Sequence, residues 1–543
     1  MIAVRLADLV ISAQKIYSMR PDRAVFRSIA IRDGRVVAVA SEPNGLDELV
    51  SAGTQVVDDP ELVLYPAFID THNHQLWAAR DLEYVPLEDA RTIASLIAQL
   101  RERAAATPAG EWVISSRCWH ETHLQESRLP TAAELDLASA AHPIFVQRGG
   151  HVGVANTAAL ALAGISKDSP NPPRGTVVRD SEGVPTGTLI EGAIEPVRRL
   201  LPPVTFGQDV AHLEQQCRLY NSRGIAVVRD PGLFRHEMLI YQSLRESGKL
   251  TTRTRALFWV MPAEDVTQQL AGIDSLGVRS GFGDDLLKIW GLKLGLDGGV
   301  EGAALCEPYA NNPNFRGHAF LEVDELTQVV EHAVSRGWRV GCHAVGDCAV
   351  VTLLDAYERV VARHPNLPPG ALVVEHAFLA NQEQRARAVR LGVAVTVQHP
   401  LLYSLGGNLV RYWGAERTRE VMPVSAWLDD GALVAAGSDC NVSFFDPLLS
   451  IWGMVTRETR VAGVQGPEHA IDAYTAVELY TAAGGRLLGE SDHIGTLQVG
   501  RHADIVGFRT DLTTCAVDAI PQQAPAFTLL GGEPIHDPDH LFP

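Results

Sequence analysis

The chain has 543 residues, of which 46% are hydrophobic and 20% are charged, and its formal net charge is −19. This length predicts either one large domain with additions or several domains. The acidic balance argues against nucleic acid or an anionic membrane as a partner, and no apolar stretch is long enough to cross a bilayer. Residues 1–19 lack the basic start, the uninterrupted apolar core and the cleavage site of a signal peptide.

The cysteines are dispersed through the chain, without the paired spacing of a zinc knuckle. They are Cys118, Cys217, Cys306, Cys342, Cys348, Cys440 and Cys515. An odd number of scattered cysteines is typical of a protein in a reducing compartment. We therefore predict reduced thiols and a cytoplasmic location.

Short strands separated by turns are predicted at both ends of the chain. The first are ADLVISAQKIYSM (7–19) and SIAIRDGRVVAVA (28–40), with Asp33-Gly34 as a hairpin turn. Near the other end, GTLQVGRHADIVGFR (495–509) has a similar pattern of short apolar runs separated by turn residues. We expect the two terminal segments, residues 1–65 and 491–543, to pair into one small composite β-sandwich domain.

The middle of the chain contains eight segments that are typical of buried parallel strands, because their apolar runs are nearly continuous. They are AFIDTH (67–72), GIAVVRD (224–230), RTRALFWV (253–260), LLKIWGLKL (286–294), WRVGCHA (338–344), ALVVEHA (371–377), VAVTVQHP (393–400) and ALVAAGSD (432–439). Helical patterns such as DELTQVVEHAVSRG lie between most of them. This alternation predicts an α/β fold, a (β/α)8 TIM barrel over residues 66–490. The long gap after the first strand predicts a cap insertion at about residues 77–205.

The stretch PAFIDTHNHQ (66–75) places two histidines one residue apart. Alternation along a strand would turn both imidazoles to one face and Asn73 to the other. In a barrel of this kind, the catalytic residues lie at the carboxyl ends of the strands. The side chains predicted at those ends are His72, His74, Lys293, His343, His376 and Asp439. Four imidazoles and a carboxylate at one rim predict a metal site.

Each of these residues also has an ordinary structural interpretation. A single histidine such as His376 is more often hydrogen-bonded in a core than bound to a metal. Lys293 could be a salt-bridge partner, and Asp439 could cap the next helix. We favour the metal site because the ordinary interpretations would all have to coincide at strand ends.

A set of motifs in the same order resembles the amidohydrolase superfamily, in particular its YtcJ-like branch, which contains N-substituted formamide deformylase. The barrel motifs are PAFIDTHNH, LKLGLDGGVEG, CHAVGDCAV, VVEHAFL, VTVQHP and AAGSDCNV, followed by GTLQVGRHADIVGF. The insertion is similar to that branch's cap in EWVISSRCWHE, GGHVGVANTAAL and GTVVRDSEGVPTGTLIEGA. The resemblance extends over almost the whole chain.

The resemblance implies a centre of two divalent metal ions, most often zinc. The implied ligands are His72, His74 and Asp439 for the more buried ion and His343 and His376 for the second. Lys293 would bridge both ions as a carbamate formed with CO₂, because a carbamate has two anionic oxygens and an ammonium has no acceptor. Lys288 lies five residues earlier and, by strand alternation, would face the opposite side.

The resemblance also implies a mechanism. A hydroxide that bridges the two ions would attack the carbonyl carbon. Asp439 would accept the proton of the water and pass it to the departing nitrogen.

Candidate substrate-binding residues lie in the cap and in the loop after the seventh strand. They are Trp119, His120, His151, Asn156, Glu191 and His399. Each has a structural hydrogen bond as its alternative interpretation. We expect the cap to select the substrate.

The function that we predict is metal-dependent hydrolysis of a non-peptide C–N bond, in a linear N-acyl or N-formyl amide of a small molecule. The alternatives are a cyclic-amide hydrolase or deaminase of the same superfamily, and a barrel without catalysis that binds or regulates. Deaminases usually use one ion and lack the bridging lysine, so the number of bound metal ions per chain distinguishes a deaminase from a two-metal hydrolase. A barrel without catalysis would be expected to lack some of the metal-binding residues. We expect a homodimer, because the dimer is the commonest oligomer among soluble proteins.

Overall fold

The computed structural model describes residues 6–172, 175–261 and 265–542. Within these ranges, eight parallel strands follow each other in chain order around one sheet. They are β1 (Phe68–Asp70), β2 (Ile225–Leu233), β3 (Arg253–Trp259), β4 (Leu287–Gly295), β5 (Val340–Ala344), β6 (Leu372–His376), β7 (Ala394–Val397) and β8 (Val434–Ala436). Each strand overlaps the segment predicted for it, which confirms the (β/α)8 barrel.

Helices cover the outside of this sheet and extend into the cap. The longer ones are Ile93–Ala105, Phe206–Asn221, Met238–Glu246, Val266–Asp274, Val323–Ser335, Asp347–Arg363, Gln382–Arg390, His399–Trp413 and Pro447–Thr456. The shorter ones are Gln75–Asp81, Ala132–Asp136, Thr157–Leu162, Glu195–Arg198, Ala415–Arg419, Val424–Asp429, Ala473–Leu479 and Ala482–Leu488. Helices or helical turns follow every barrel strand, as the fold requires.

The helix Val323–Ser335 shows how sequence pattern produces this packing. Its apolar residues recur at helical spacing, so that Leu326, Val329 and Val330 form one buried stripe. The stripe packs in the main hydrophobic core together with Leu292 and Leu294 of β4. Alternation along β4 therefore leaves the residue between those two leucines, Lys293, on the inner face of the barrel.

Hydrogen bonds beyond the ends of the strands join β8 to β1. The Thr71 N–H donates to the Ala436 carbonyl over 3.1 Å, and the Asp439 N–H donates to the His72 carbonyl over 2.7 Å. These bonds bring the two ends of the barrel sequence together at the carboxyl rim. Asp439 is thereby fixed beside His72, although 367 positions separate them in the sequence.

Strands from both termini share a second, seven-stranded sheet, as the sequence predicts. Its strands are Leu9–Tyr17, Val25–Arg32, Arg35–Ala40, Gln55–Pro66, Ile505–Phe508, Phe527–Leu530 and Glu533–His536. The two termini meet where Ile505 pairs antiparallel with Pro66. The boundaries at residues 65 and 491 stay predictions, and residues 1–5 and 543 of these segments lie outside the described residues.

The part of the chain between the helices Gln75–Asp81 and Phe206–Asn221 forms a third sheet of five strands. Its strands are Val113–Ile114, Ile144–Arg148, Val152–Ala155, Pro185–Glu191 and Gly175–Arg179, in the order of pairing. They fall within the predicted cap, whose limits near residues 77 and 205 stay a prediction. A separate apolar cluster that includes Leu96, Leu100 and Ile144 gives these elements a core of their own.

One expectation about the cysteines is wrong. Cys306 and Cys348 form a disulfide, with Cα atoms 5.0 Å apart, whereas the sequence predicts reduced thiols throughout. The long loop after β4 folds back onto the start of the helix Asp347–Arg363, and this brings together residues 42 positions apart. The other five cysteines of the chain are free thiols.

Among the residues that the structure describes, no helix is both long enough and apolar enough to span a membrane.

Candidate metal centre

Three side chains from the two ends of the barrel sheet converge at its carboxyl rim. His72 Nε2 lies 3.4 Å and His74 Nε2 lies 3.2 Å from Asp439 Oδ1. All three residues are buried, and their candidate ligand atoms lie within 4.8 Å of one another. Ligands at 2.0–2.1 Å from a tetrahedral zinc ion are themselves roughly 3.4 Å apart. The spacing of these atoms therefore fits one shared divalent ion.

Hydrogen bonds turn the residue between the two histidines away from this point. Strand β1 ends at Asp70, so strand alternation no longer applies at Asn73. The Asn73 amide donates to Asp70 Oδ2 over 2.8 Å and to Ser438 Oγ over 3.0 Å, and its carbonyl accepts from the Tyr220 hydroxyl. The predicted orientation of Asn73 is confirmed, but its cause is this local network.

Glu375 holds the first imidazole in place. His72 Nδ1 lies 2.7 Å from Glu375 Oε2, and Arg229 and Thr396 donate to the same carboxylate. Burial lowers the pKa of His72 well below its usual value, against the opposing charge of Glu375. The imidazole is thus neutral, with Nδ1 occupied and Nε2 directed toward Asp439, which is the state that binds a metal.

Lys293 lies beside this group on the inner face of β4. Its Nζ is 3.4 Å from His72 Nε2, and the side chain is buried. Burial lowers the pKa of Lys293 although the carboxylates of Glu375 and Asp439 oppose the shift. Lys288 faces the other way and forms an ion pair with Glu490 at 3.0 Å, as strand alternation predicts.

The two remaining histidines of the predicted set are neighbours in a continuous row of rings. The ring centroids of His343 and His376 are 4.6 Å apart, and those of His376 and His72 are 4.7 Å apart. His376 Nδ1 lies 2.8 Å from Gln398 Oε1, which leaves its Nε2 for a ligand. Burial lowers the pKa of His376 to about 4, against the opposing charge of Asp439. His343 and His376 therefore lie at the same rim as His72.

Two of these donors have an uncommon backbone conformation. His376 has φ 78° and Asp439 has φ 57°, both in the left-handed region that non-glycine residues rarely adopt. Such conformations concentrate at functional sites, where the surrounding structure holds them. The local chain geometry thus favours a functional role for this rim over a structural one.

A cavity opens directly above these residues. It is lined by His120, Arg148, Gly149, Gly150, His151, Gly299, Val300, Glu301, His343, Val345, His376, Phe378, Leu401, Leu405, Asp439 and Val442. Both ring nitrogens of His120 are buried and have no hydrogen-bond partner among the described residues. Apolar walls with a few polar groups are typical of a site for a small molecule.

The cap places a second imidazole at this cavity. His151 Nδ1 lies 3.0 Å from Glu191 Oε1, and the ring centroid of His151 is 6.1 Å from that of His343. Burial would lower the pKa of His151, but the charge and the hydrogen bond of Glu191 raise it to about 9. His151 and Glu191 thus form an ion pair near neutral pH.

Three of the predicted substrate-binding residues lie away from the cavity. Trp119 is buried in the cap core, and its Nε1 donates to the Gln147 carbonyl. Asn156 caps the helix Thr157–Leu162 by accepting from the Ala159 N–H over 3.0 Å. His399 is buried at the first turn of the helix His399–Trp413. Trp119 and Asn156 thus make structural hydrogen bonds, whereas both ring nitrogens of His399 are buried without a hydrogen-bond partner among the described residues.

Several site residues were missed by sequence reasoning. Glu375 and Arg229 support His72, and Arg148 lines the cavity with ion pairs to Glu301 at 2.6 Å and to Glu121 at 3.0 Å. A charged residue inside an apolar strand was the available signal, since Arg229, Glu375 and Arg148 all stand in such runs. The sequence alone does not pair them, because their partners are far away along the chain.

The barrel and its buried rim of imidazoles beside a carboxylate define a metal-dependent hydrolase. The sequence profile of the amidohydrolase family matches residues 55–536. The chain therefore belongs to the amidohydrolase family and acts on carbon–nitrogen bonds other than peptide bonds. The resemblance noted in the sequence motifs is confirmed.

Individual relatives agree with this assignment. N-substituted formamide deformylase of Arthrobacter pascens is 26% identical over 529 residues, which cover 94% of this chain and 95% of that protein. YtcJ of Bacillus subtilis (strain 168), named an amidohydrolase, is 25% identical over 501 residues, 90% of this chain and 92% of that one. The crystal structure of an uncharacterized metal-dependent hydrolase from Pyrococcus horikoshii OT3 has a TM-score of 0.74 at 25% identity and covers 94% of this chain and 99% of that one.

Proposed function

We propose that this enzyme hydrolyses a linear N-acyl or N-formyl amide of a small molecule with the help of two divalent metal ions, zinc in the native protein. The observation that carries the proposal is the convergence of His72 Nε2 and His74 Nε2 on Asp439 Oδ1, at 3.4 and 3.2 Å. Similarity to N-substituted formamide deformylase over nearly the whole length supports a linear amide over a cyclic one.

The ligands that we propose are His72, His74 and Asp439 for one ion and His343 and His376 for the other. Imidazole nitrogens and a carboxylate are the donors that zinc prefers. The rings of His72 and His376 each have Nδ1 tied to a buried partner, so that Nε2 is the free donor. Such outer partners are usual for histidines that bind metals.

Lys293 is proposed to join the two groups as a carbamate formed with CO₂. Only a neutral amine can react with CO₂, and burial lowers the pKa of Lys293 toward that state. Its Nζ lies 3.4 Å from His72 Nε2, next to the first ligand group. A one-metal deaminase would not need a lysine at this position, so Lys293 favours the two-metal hydrolase.

Bound divalent ions lower the pKa of a water molecule and polarise a carbonyl oxygen. The protein's own residues supply the rest of the chemistry. The Asp439 carboxylate lies within 3.4 Å of both imidazole donors, so it can accept a proton from water at the centre. The apolar walls of the cavity, including Phe378 and Leu401, hold the organic part of the substrate and exclude bulk water.

A hydrolysis screen tests this proposal. The purified enzyme, loaded separately with Zn²⁺ and Mn²⁺, is incubated with N-formyl, N-acyl and cyclic amides, while metal content is measured by mass spectrometry. Release of amine from a linear amide, with two metal equivalents per chain, is the expected result. Activity restricted to cyclic amides would contradict the proposed substrate class. Release of ammonia with a single bound ion would identify a deaminase instead.

Some expectations are independent of this chemistry and stay predictions. They are the cytoplasmic location, the homodimer, and the lack of a nucleic-acid or membrane partner. Light scattering on the purified protein would measure the oligomeric state directly, and a monomer would contradict the expected dimer.

A further inference from the structure

The cap contributes a carboxylate–imidazole pair to the rim of the barrel. Glu191 ends the strand Pro185–Glu191, and His151 precedes the neighbouring strand Val152–Ala155. These strands pair antiparallel with Ile190 opposite Val152, so their next residues, Glu191 and His151, face each other. The Glu191 N–H donates to the His151 carbonyl over 2.9 Å, and the side chains meet at 3.0 Å. The sheet register itself assembles the pair.

The backbone at Glu191 is held in a conformation that side chains rarely adopt. Its φ is 50°, in the left-handed region, and no glycine relieves the position. Backbone strain of this kind persists where the surrounding structure over-determines it, and it concentrates at functional sites. The conformation of Glu191 therefore supports a functional use of the carboxylate.

Two consecutive glycines of the barrel make room for the pair. A Cβ atom on Gly299 would lie 2.7 Å from His151 Cδ2, and a Cβ atom on Gly298 would lie 2.7 Å from Glu191 Oε1. The carbonyl of the same Gly298 lies 3.3 Å from His343 Nε2. The loop after β4 thus seats the cap pair directly beside one of the proposed metal ligands.

The orientation of His151 leaves one nitrogen for substrate. Glu191 occupies Nδ1, so Nε2 is the remaining polar atom of a ring that lines the cavity. His343, His376 and Asp439 line the same cavity. An amide that enters this cavity would therefore lie beside both the His151 ring and Asp439.

We propose that His151 is a catalytic residue that protonates the departing amide nitrogen through Nε2, and that Glu191 is its positioning residue. The proposal rests on the hydrolase function proposed above. As the C–N bond breaks, its electron pair stays on nitrogen, which takes the proton from His151 Nε2. The carbonyl carbon keeps the hydroxyl group of the water, and the other proton of that water passes to Asp439. Asp439 holds this proton until the products leave, whereas the family resemblance implies that Asp439 passes it to the nitrogen. After the products leave, this proton returns to His151 through solvent, so that one water is consumed in each cycle.

A series of amides with one acyl group and different amines tests the role. Protonation matters most for a strongly basic leaving group such as benzylamine and least for 4-nitroaniline, which can leave as an anion. For His151→Gln we expect kcat/KM to fall about 100-fold or more with benzylamine and less than about 10-fold with 4-nitroaniline. Glu191→Gln should give the same graded pattern with smaller losses. A residue that only pins the cap to the barrel would give equal losses across the series.

The controls separate chemistry from folding. Glu182→Gln changes an exposed carboxylate in the same cap and should leave every rate unchanged. Metal content and circular dichroism of the His151 and Glu191 variants should match the wild type. Equal losses across the series, with an active wild type, would overturn this inference alone. If the metal-loaded wild type releases no amine from any member of the series, the proposed function fails as well.

Discussion

His72 Nδ1 and Glu375 Oε2 lie 2.7 Å apart, and both side chains are completely buried. Glu375 also accepts a hydrogen bond from Arg229 over 2.7 Å, so the carboxylate sits between a guanidinium and an imidazole. These two neighbours keep the pKa of Glu375 well below its usual range against the opposing effect of burial. The anion therefore fixes both the tautomer and the direction of the His72 ring.

Glu375→Gln tests this arrangement. The substitution removes the anion that orients His72 and leaves Arg229 buried without a charged partner. We expect metal affinity to fall about 10- to 100-fold and the free energy of unfolding to fall by about 3 kcal/mol. Metal retention after dialysis and denaturant unfolding measure the two effects. The control Glu383→Gln lies on an exposed helix face, and a matching metal loss in that variant would contradict the assignment.

His72→Ala and Asp439→Asn should each give a folded protein without hydrolase activity. Each change removes a proposed ligand from the first group, and Asp439→Asn also removes the proton acceptor. Circular dichroism and amide hydrolysis by the metal-loaded variants check the prediction. Turnover at the wild-type rate in either variant would remove the basis for the proposed centre.

Lys293→Ala should lose metal and activity together, because the variant lacks the amine of the proposed carbamate. Added short carboxylates such as acetate or propionate have two oxygens in a similar arrangement and should restore part of the activity. The measurement is activity and metal content against carboxylate concentration. Unchanged metal content in Lys293→Ala would exclude a bridging role.

Gly299→Ala should impair catalysis without disturbing the barrel. Its new methyl group would lie 2.7 Å from His151 Cδ2, so the imidazole must move. We expect kcat to fall at least about 10-fold, because small misplacements of reacting groups are costly. Gly272→Ala is the matched control, since no atom lies within 4 Å of its Cβ. Equal rates for Gly299→Ala and wild type would show that the position of His151 is unimportant.

The disulfide predicts a defined thiol count. Unfolded, unreduced protein should react with a thiol reagent at five cysteines, and all seven should react after reduction. Replacing Cys306 and Cys348 by serine should lower the free energy of unfolding by about 2–4 kcal/mol. Seven reactive thiols before reduction would show that the bond does not form in solution.

The barrel could be predicted because its evidence is local. Each strand is a continuous apolar run of a few residues, and each helix repeats its apolar residues at helical spacing. Parallel strands place their carboxyl ends at one edge, so the order of strands was enough to bring His343 and His376 to the same rim. The substrate-binding residues were harder to predict, because the position of a residue within a motif does not reveal which way its side chain points. Asn156, for example, caps a helix in the cap.

The sequence by itself determined the fold class and the family, because those depend on periodicity, on residue type and on the order of motifs along the chain. Tertiary structure decided which groups act on one another. It paired Glu375 with His72, joined Cys306 to Cys348, and set His151 against Glu191 beside Gly299. The physical reason is that these contacts join residues between 40 and 303 positions apart, and only the packing of the barrel, its loops and its cap brings such residues within hydrogen-bonding distance.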